Sequence, residues 1–271
     1  MPMSDASILL GAVAYDVKVL TLWEGMREHL RAQGLTLDFA LFSSYERLVE
    51  ALLGGHVDVA YDDPLAHVRV KRRTEGRSLT LAMRDIDRDF TTKVLVRRDA
   101  GIGALTDLHD RTVAVGARDS AHARVLPLFF LRRAAVEIDR LKLLPFDYDP
   151  GKHGDTPRSE VEVLAALHDG RAQAGFVGSV VWQAELAAGR VDPHRVEILW
   201  TTPAYDHHVL DALPGLPEQT AKDLTRVLCD MRWNNPKHKK LLEIEGHRQW
   251  LPGRDGWYTQ VVAALDDQRG W

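Results

Sequence analysis

Acidic side chains follow two apolar segments of the chain that have the length of buried strands. Asp62 and Asp63 come directly after a valine-rich run, and Tyr15 and Asp16 come shortly after the apolar segment Ile8–Val13. Ligands of α/β proteins sit beyond the carboxyl ends of the strands, so we expect these four side chains to contact a small ligand. Two or three carboxylates disfavour a doubly charged anion and favour an ammonium group or another cation. The alternative for the adjacent acids is that one of them caps the helix predicted after them.

A degenerate internal repeat relates the first half of the chain to the second. The segment Ala51–Asp63 reappears as Ala166–Gly178, and Gly55 matches Gly170. Each copy is typical of a helix, a glycine stop, a buried strand and a loop, because glycine is favoured where a helix ends in a left-handed turn. One such unit cannot bury its apolar face alone, so two copies predict two similar α/β lobes with a ligand cleft between them. Ser179, which follows the second copy, is expected to face the acids that follow the first.

Apolar periodicity predicts further helices and strands in the same order in both halves. Helical spacing predicts a helix at Val19–Arg31, and alternation predicts a strand at Leu35–Phe42. The pattern of Ser43 followed three residues later by Glu46 is a capping box, which predicts the start of the next helix. The other predicted elements are strands at Ile8–Val13, Val57–Tyr61, Thr112–Val115, Leu141–Phe146 and Ala172–Val177, and helices at Ala123–Ala135, Ser159–His168, Pro217–Met231 and Lys237–Trp271.

Two β-rich segments lie at the borders of the second set of predicted helices and strands. They are Thr91–Arg97 and Val196–Thr202. A chain that passes between its lobes twice, rather than once, is typical of a hinge between discontinuous lobes. The sequence therefore predicts an α/β protein of two lobes joined by a two-strand hinge. The first lobe is predicted to comprise residues 1–93 and 203–271, including the C-terminal helices, and the second to comprise residues 94–202.

Composition excludes several classes of protein. The net charge of -4 among 271 residues argues against nonspecific nucleic-acid binding. Cys229 is the only cysteine, which excludes an internal disulfide and a cysteine-rich metal site. His207 and His208 are adjacent and point apart on a regular chain, so we predict neither a metal nor a cofactor. No signal peptide or membrane-spanning run is visible, which predicts a cytoplasmic protein as written, or a periplasmic one if a leader was trimmed.

Four longer segments together resemble the phosphate-, phosphite- and phosphonate-binding proteins of ABC transporters. The first runs from Tyr45 through Gly54-Gly-His-Val-Asp-Val-Ala to Pro64-Leu-Ala. The second is Phe90-Thr-Thr-Lys-Val-Leu-Val-Arg, and the third begins at Thr112 and contains Ser120-Ala-His-Ala. The fourth is Ile198-Leu-Trp-Thr-Thr-Pro-Ala-Tyr. The resemblance covers nearly the whole chain and rests on the order and spacing of the segments.

The resemblance implies the type II periplasmic-binding fold, with two Rossmann-like lobes, and a role in binding a solute for an ABC permease. It also implies ligand contacts for Thr91, Thr92, Ser120, His122 and Tyr205. In the family the anion-binding loop is Ser-Thr-Ser-Gly, whereas two hydroxyls and the glycine are missing from the Ser120 loop here. We therefore expect phosphate and simple alkylphosphonates to bind poorly.

The favoured ligand is a small amine-bearing or zwitterionic molecule. Its cationic end is expected to face Asp16 and Asp62 or Asp63, and its anionic or carbonyl end is expected to face the hydroxyls and His122. Two other functions stay open. One is a cytoplasmic enzyme on the same fold, such as a dehydratase or biosynthetic enzyme, in which Asp16, Asp62 or His122 would move protons. The other is a stand-alone ligand sensor domain.

Overall fold

The computed structural model describes residues 7–147 and 157–268, which form a mixed α/β structure. The strands are β1 (Ile8–Val13), β2 (Leu37–Phe42), β3 (Val59–Asp62), β4 (Leu79–Thr80), β5 (Ala82–Arg84), β6 (Thr92–Arg97), β7 (Thr112–Val115), β8 (Lys142–Pro145), β9 (Ala174–Gly178), β10 (Val196–Thr201), β11 (Val209–Ala212) and β12 (Trp250–Pro252). The helices are α1 (Lys18–Ala32), α2 (Tyr45–Leu53), α3 (Pro64–Arg73), α4 (Leu126–Arg133), α5 (Pro157–His168), α6 (Ser179–Ala187), α7 (Glu218–Cys229), α8 (Pro236–Ile244) and α9 (Thr259–Gln268). A π-helical turn, Ala121–Val125, leads into α4.

The chain divides into two compact units. Of the described residues, the first unit contains 7–89 and Asp206–Thr259, and the second contains 90–147, 157–205 and 260–268. Most of α9 therefore belongs to the second unit, whereas the sequence predicts the C-terminal helices in the first lobe. Within the described residues, no helix has both the length and the apolar character needed to cross a membrane.

Both units contain a five-stranded sheet with the same order of equivalent strands. The first sheet has the order β2-β1-β3-β11-β4, and the second has the order β8-β7-β9-β6-β10. In each sheet the first three strands are parallel, and the fourth runs antiparallel to the third. The internal repeat of the sequence thus corresponds to a repeat of topology, and the prediction of an α/β fold is confirmed.

The two matched glycines have the backbone conformation that the repeat predicts. Gly55 follows α2 with a φ of 69°, and Gly170 follows α5 with a φ of 78°. Both values lie in the left-handed region, where a side chain is strained and glycine is not. The helix-to-strand connection of each copy therefore depends on a residue without a Cβ atom.

Helices cover both faces of each sheet, and successive residues of a strand enter different cores. In the first unit, Val59 and Tyr61 pack in a core with α1, α7 and α8, whereas Ala60 packs with α2 and α3. In the second unit, Phe176 packs in one core and Val177 packs in another with α5. A strand that is buried on both faces is apolar along its whole length, which explains the continuous apolar runs of the sequence.

Several predicted boundaries differ from the structure. Ser44, rather than Ser43, caps α2, because its hydroxyl accepts a hydrogen bond from the Arg47 N–H. The helix predicted at Ala123–Ala135 begins as the π-helical turn. The helical segment predicted at Lys237–Trp271 is interrupted by β12, and its last three residues lie outside the described part of the chain. Strand β12 pairs with β5, a partner that is distant in the sequence and therefore invisible to local periodicity.

Candidate ligand-binding site

The loop after β7 places Ser120 and His122 in the interior of the second unit. The Ser120 hydroxyl accepts a hydrogen bond from the Ala123 N–H at 3.1 Å and so caps the π-helical turn. Both predicted contact residues are buried. The loop packs closely, because a Cβ atom at Gly116 would lie 2.5 Å from the Cβ atom of Ala123.

His122 faces the buried carboxylate of Glu160, a residue that no sequence motif indicates. Glu160, in the first turn of α5, places one carboxylate oxygen 3.1 Å from His122 Nε2. Its other oxygen accepts a hydrogen bond from the Gly178 N–H at 2.5 Å. An acid in the first turn of a helix is ordinary in a sequence, because it interacts favourably with the helix dipole. Nothing local therefore distinguishes Glu160 from a solvated acid.

Thr92 and Tyr205 join the same group of residues. The Thr92 hydroxyl donates a hydrogen bond to the His122 carbonyl oxygen at 2.8 Å, and it lies 3.1 Å from the Tyr205 hydroxyl. A threonine hydroxyl has one proton to donate, so the Tyr205 hydroxyl donates to Thr92. Thr92 is also the β6 partner of Gly178 in the sheet. Hydrogen bonds in the second unit thus link Tyr205 to Thr92, Thr92 to the His122 carbonyl oxygen, and the His122 ring to Glu160.

The other two predicted contacts of the second unit lie nearby but make different bonds. The Thr91 carbonyl oxygen accepts a hydrogen bond from the Ser179 N–H at 2.9 Å. The Thr91 hydroxyl accepts one from Lys93 Nζ at 3.1 Å. Desolvation lowers the pKa of Lys93. Because successive side chains of an extended chain point to opposite faces, Thr91 and Thr92 do not share a face.

In the first unit, Tyr15 belongs to a polar network and Asp16 lies at the surface. The Tyr15 hydroxyl is 2.7 Å from both carboxylate oxygens of Glu245. Burial, followed by the charge of Glu245, raises the pKa of Tyr15. Asp16 is exposed and accepts a hydrogen bond from the Lys18 N–H at 2.9 Å.

The adjacent acids after β3 have different environments. Asp63 caps α3, because its carboxylate accepts a hydrogen bond from the Ala66 N–H at 2.6 Å. Asp62 is 0% exposed, and among the described residues neither of its carboxyl oxygens has a hydrogen-bond partner. Burial, followed by the charges of Asp211 and Asp63, raises the pKa of Asp62 well above its usual range. Asp211 is itself paired with His67, whose Nδ1 lies 2.8 Å away.

Asp87 lies next to the adjacent histidines His207 and His208 in the folded first unit. Asp87, His207 and His208 offer three possible metal-ligand atoms within 4.8 Å of one another. However, Arg84 contacts both carboxylate oxygens of Asp87 at 2.6 and 2.8 Å. This guanidinium group, with the two histidines nearby, holds the pKa of Asp87 well below its usual range despite burial. A metal ion would have to displace the arginine, so the cluster is better suited to a buried ion-pair network.

Two α/β units with matching sheets are the architecture of ligand-binding proteins with the type II periplasmic-binding fold. The structure of the periplasmic aliphatic sulphonate binding protein SsuA from Escherichia coli is similar to this chain with a TM-score of 0.64 at 14% identity, over 98% of this chain and 88% of that one. The structure of PhnD1 from Prochlorococcus marinus in complex with methylphosphonate has a TM-score of 0.76 at 20% identity, over 98% of this chain and 99% of that one.

Sequence comparison identifies the family. Residues 13–258 match the family described as "ABC transporter, phosphonate, periplasmic substrate-binding protein". A probable ABC transporter phosphite binding protein, PhnD1 of Prochlorococcus marinus (strain MIT 9301), is 24% identical over 215 residues, which are 76% of this chain and 69% of that protein. The chain therefore belongs to the phosphonate family of ABC-transporter substrate-binding proteins, which confirms the resemblance seen in the sequence.

Proposed function

We propose that this chain delivers a small polar ligand to an ABC permease and that the ligand carries an amine, as a cation or as a zwitterion. The observation that carries the proposal is the buried carboxylate of Glu160. It contacts His122 and the Gly178 N–H, and Gly178 pairs with Thr92 in the sheet. An ammonium group is the natural partner of a carboxylate among hydroxyl and carbonyl oxygens.

The electrostatic balance at Glu160 disfavours a second anion. Two like charges 4 Å apart repel by about 4 kcal/mol at an effective dielectric constant of about 20. A phosphonate or phosphate dianion beside Glu160 would experience this repulsion twice, whereas an ammonium group would gain a similar attraction. We therefore assign the amine of the ligand to Glu160, and this assignment reverses the polarity expected for the His122 loop from the sequence.

The proposed ligand contacts in the second unit are the residues that the sequence predicts there. They are Thr91, Thr92, Ser120, His122, Ser179 and Tyr205. In the first unit, the contacts proposed for Tyr15, Asp16, Asp62 and Asp63 rest on their positions after β1 and β3. Of these four, Asp16 is the exposed acid and Asp63 is engaged as a helix cap.

A ligand screen tests this proposal directly. Amino acids, betaines, polyamines and aminophosphonates are compared with inorganic phosphate, sulfate and methylphosphonate by thermal shift, and hits are measured by calorimetry. We expect only amine-bearing compounds to raise the melting temperature. Replacing Glu160 by glutamine should weaken the best amine by about 2 kcal/mol, because a desolvated charge pair is lost. Glu162→Gln, on the same helix, is the matched control and should bind normally.

The opposite pattern would contradict the proposal. If dianions alone stabilise the protein, or if Glu160→Gln leaves the affinity for the amine unchanged, the carboxylate does not select the ligand.

A further inference from the structure

Hydrogen-bond donors of the second unit hold the Glu160 carboxylate in the way that a binding site holds a separate anion. Its side chain is 3% exposed, one oxygen accepts the Gly178 N–H at 2.5 Å, and the other faces His122 Nε2 at 3.1 Å. Donors at two oxygens of one buried carboxylate are the usual arrangement for recognition of an oxyanion. The first turn of α5 adds the favourable end of a helix dipole.

The partners of Glu160 are not those of a helix-capping acid. A capping acid accepts hydrogen bonds from the start of its own helix. Glu160 instead contacts Gly178, 18 residues away at the end of β9, and His122, 38 residues away in the π-helical turn. The backbone fits closely around the carboxylate, because a Cβ atom at Gly178 would lie 3.1 Å from Glu160 and 2.7 Å from the Phe90 ring.

We propose that Glu160 is a built-in anion: its carboxylate fills an oxyanion pocket formed by the Gly178 N–H and His122, and thereby excludes external oxyanions. The inference rests on the proposed function in treating these residues as part of the ligand site, and it adds the residue that sets selectivity. The pocket itself is suited to a carboxylate, phosphate or phosphonate oxygen. Glu160 occupies this pocket from within the chain, so the site presents a negative charge to a ligand instead of a place for one.

Removal of the built-in anion should create an anion site. Glu160→Ser removes both the charge and the carboxyl volume, whereas Glu160→Gln removes only the charge. Acetate, inorganic phosphate and methylphosphonate are the probes, titrated by calorimetry into the wild-type chain and both variants. We expect Glu160→Ser to bind these anions on the order of tenfold to a hundredfold more tightly than the wild type, the effect of one charge-assisted hydrogen bond.

Two further variants locate the new site. Glu162→Ser changes the charge of the same helix by the same amount and should not raise the affinity for the anions. Adding His122→Ala to Glu160→Ser should abolish the gain, because it removes one of the two donors. Circular dichroism melts establish that each variant is folded. If Glu160→Ser does not fold, folded Glu160→Gln should still gain on the order of tenfold for the anions.

The inference is overturned if the wild-type chain binds phosphate as tightly as Glu160→Ser, or if a folded variant lacking the carboxylate shows no gain. These outcomes are separate from the amine screen. An anion gain in Glu160→Ser without amine binding by the wild type would retain the built-in anion and reject the proposed ligand. Amine binding by the wild type without a gain of anion affinity in Glu160→Ser would retain the proposed ligand and reject the built-in anion.

Discussion

At the scale of single residues, the two acids after β3 show how neighbours decide the role of identical side chains. Asp63 caps α3, a role that the sequence allows for either acid of the pair. Asp62 points into the interior, where Asp211 is already paired with His67 and contributes repulsion. A buried carboxyl group without a hydrogen-bond partner is most stable in its neutral, protonated form.

Replacement of Asp62 by asparagine should stabilise the chain at alkaline pH. Because the pKa of Asp62 is raised in the folded state, the unfolded chain releases this proton at a lower pH than the folded chain does. Stability is therefore expected to fall as the pH rises from about 4 through the raised pKa. At pH 8, Asp62→Asn should be more stable than the wild type, because it removes the cost of ionising a buried carboxyl group. Chemical denaturation at several pH values measures the difference.

The exposed acid Glu24 on α1 provides the control for this measurement. Glu24→Gln should follow the pH profile of the wild-type chain. A profile for Asp62→Asn that also runs parallel to the wild type would show that Asp62 is ionised when folded.

At the scale of elements, the helix–glycine–strand unit is the part of the fold that depends most on local sequence. Its two copies keep a left-handed glycine after α2 and after α5, although the flanking residues differ. The chain must reverse direction there to enter the adjacent strand. The glycine is therefore retained for its backbone conformation.

Alanine at either glycine should destabilise the chain. We expect Gly55→Ala to cost about 1–2 kcal/mol of unfolding free energy, the strain of a left-handed non-glycine residue, because its Cβ atom would meet nothing within 4 Å. Gly170→Ala should cost at least as much, because its Cβ atom would lie 2.5 Å from Arg97 Nη1. Denaturant titration measures both effects.

Gly215→Ala is the matched control. Its added Cβ atom also meets nothing within 4 Å, and its φ lies outside the left-handed region. This variant should be neutral or up to about 1 kcal/mol more stable. A loss at Gly215 equal to that at Gly55 would contradict the explanation from backbone conformation.

At the scale of the whole molecule, the chain changes unit three times. It leaves the first unit after Asp89, returns at Asp206, and leaves again after Thr259. The last change assigns α9 to the second unit, where Arg132 of α4 pairs with Asp267. Val261 and Ala264 of α9 are buried, so the end of the described chain contributes to the core.

Truncation of Val261 to alanine should therefore destabilise the second unit. The side chain is 0% exposed, and loss of two buried methyl groups is expected to cost about 1–3 kcal/mol. Hydrogen exchange of β7 and β9 should accelerate, whereas β1 and β3 of the first unit should change less. The adjacent Gln260→Ala is the control, because Gln260 is only partly buried and should have a smaller effect. Equal acceleration in both units would contradict the assignment of α9.

The sequence by itself determined the α/β class, the repeated unit and most strand positions, because these depend on apolar periodicity and glycine stops over a few neighbouring residues. It also predicted ligand contacts for Thr92, His122 and Tyr205, which hydrogen bonds link in the second unit. Only the tertiary structure decided what surrounds them. Glu160 contacts His122 across 38 residues, and Asp87 contacts His207 across 120. Strand β12 pairs with β5 across a still longer separation, because Trp250 lies opposite Arg84. Burial and pairing depend on contacts between distant segments, which no local pattern encodes, so the charge of the candidate site became visible only in the folded chain.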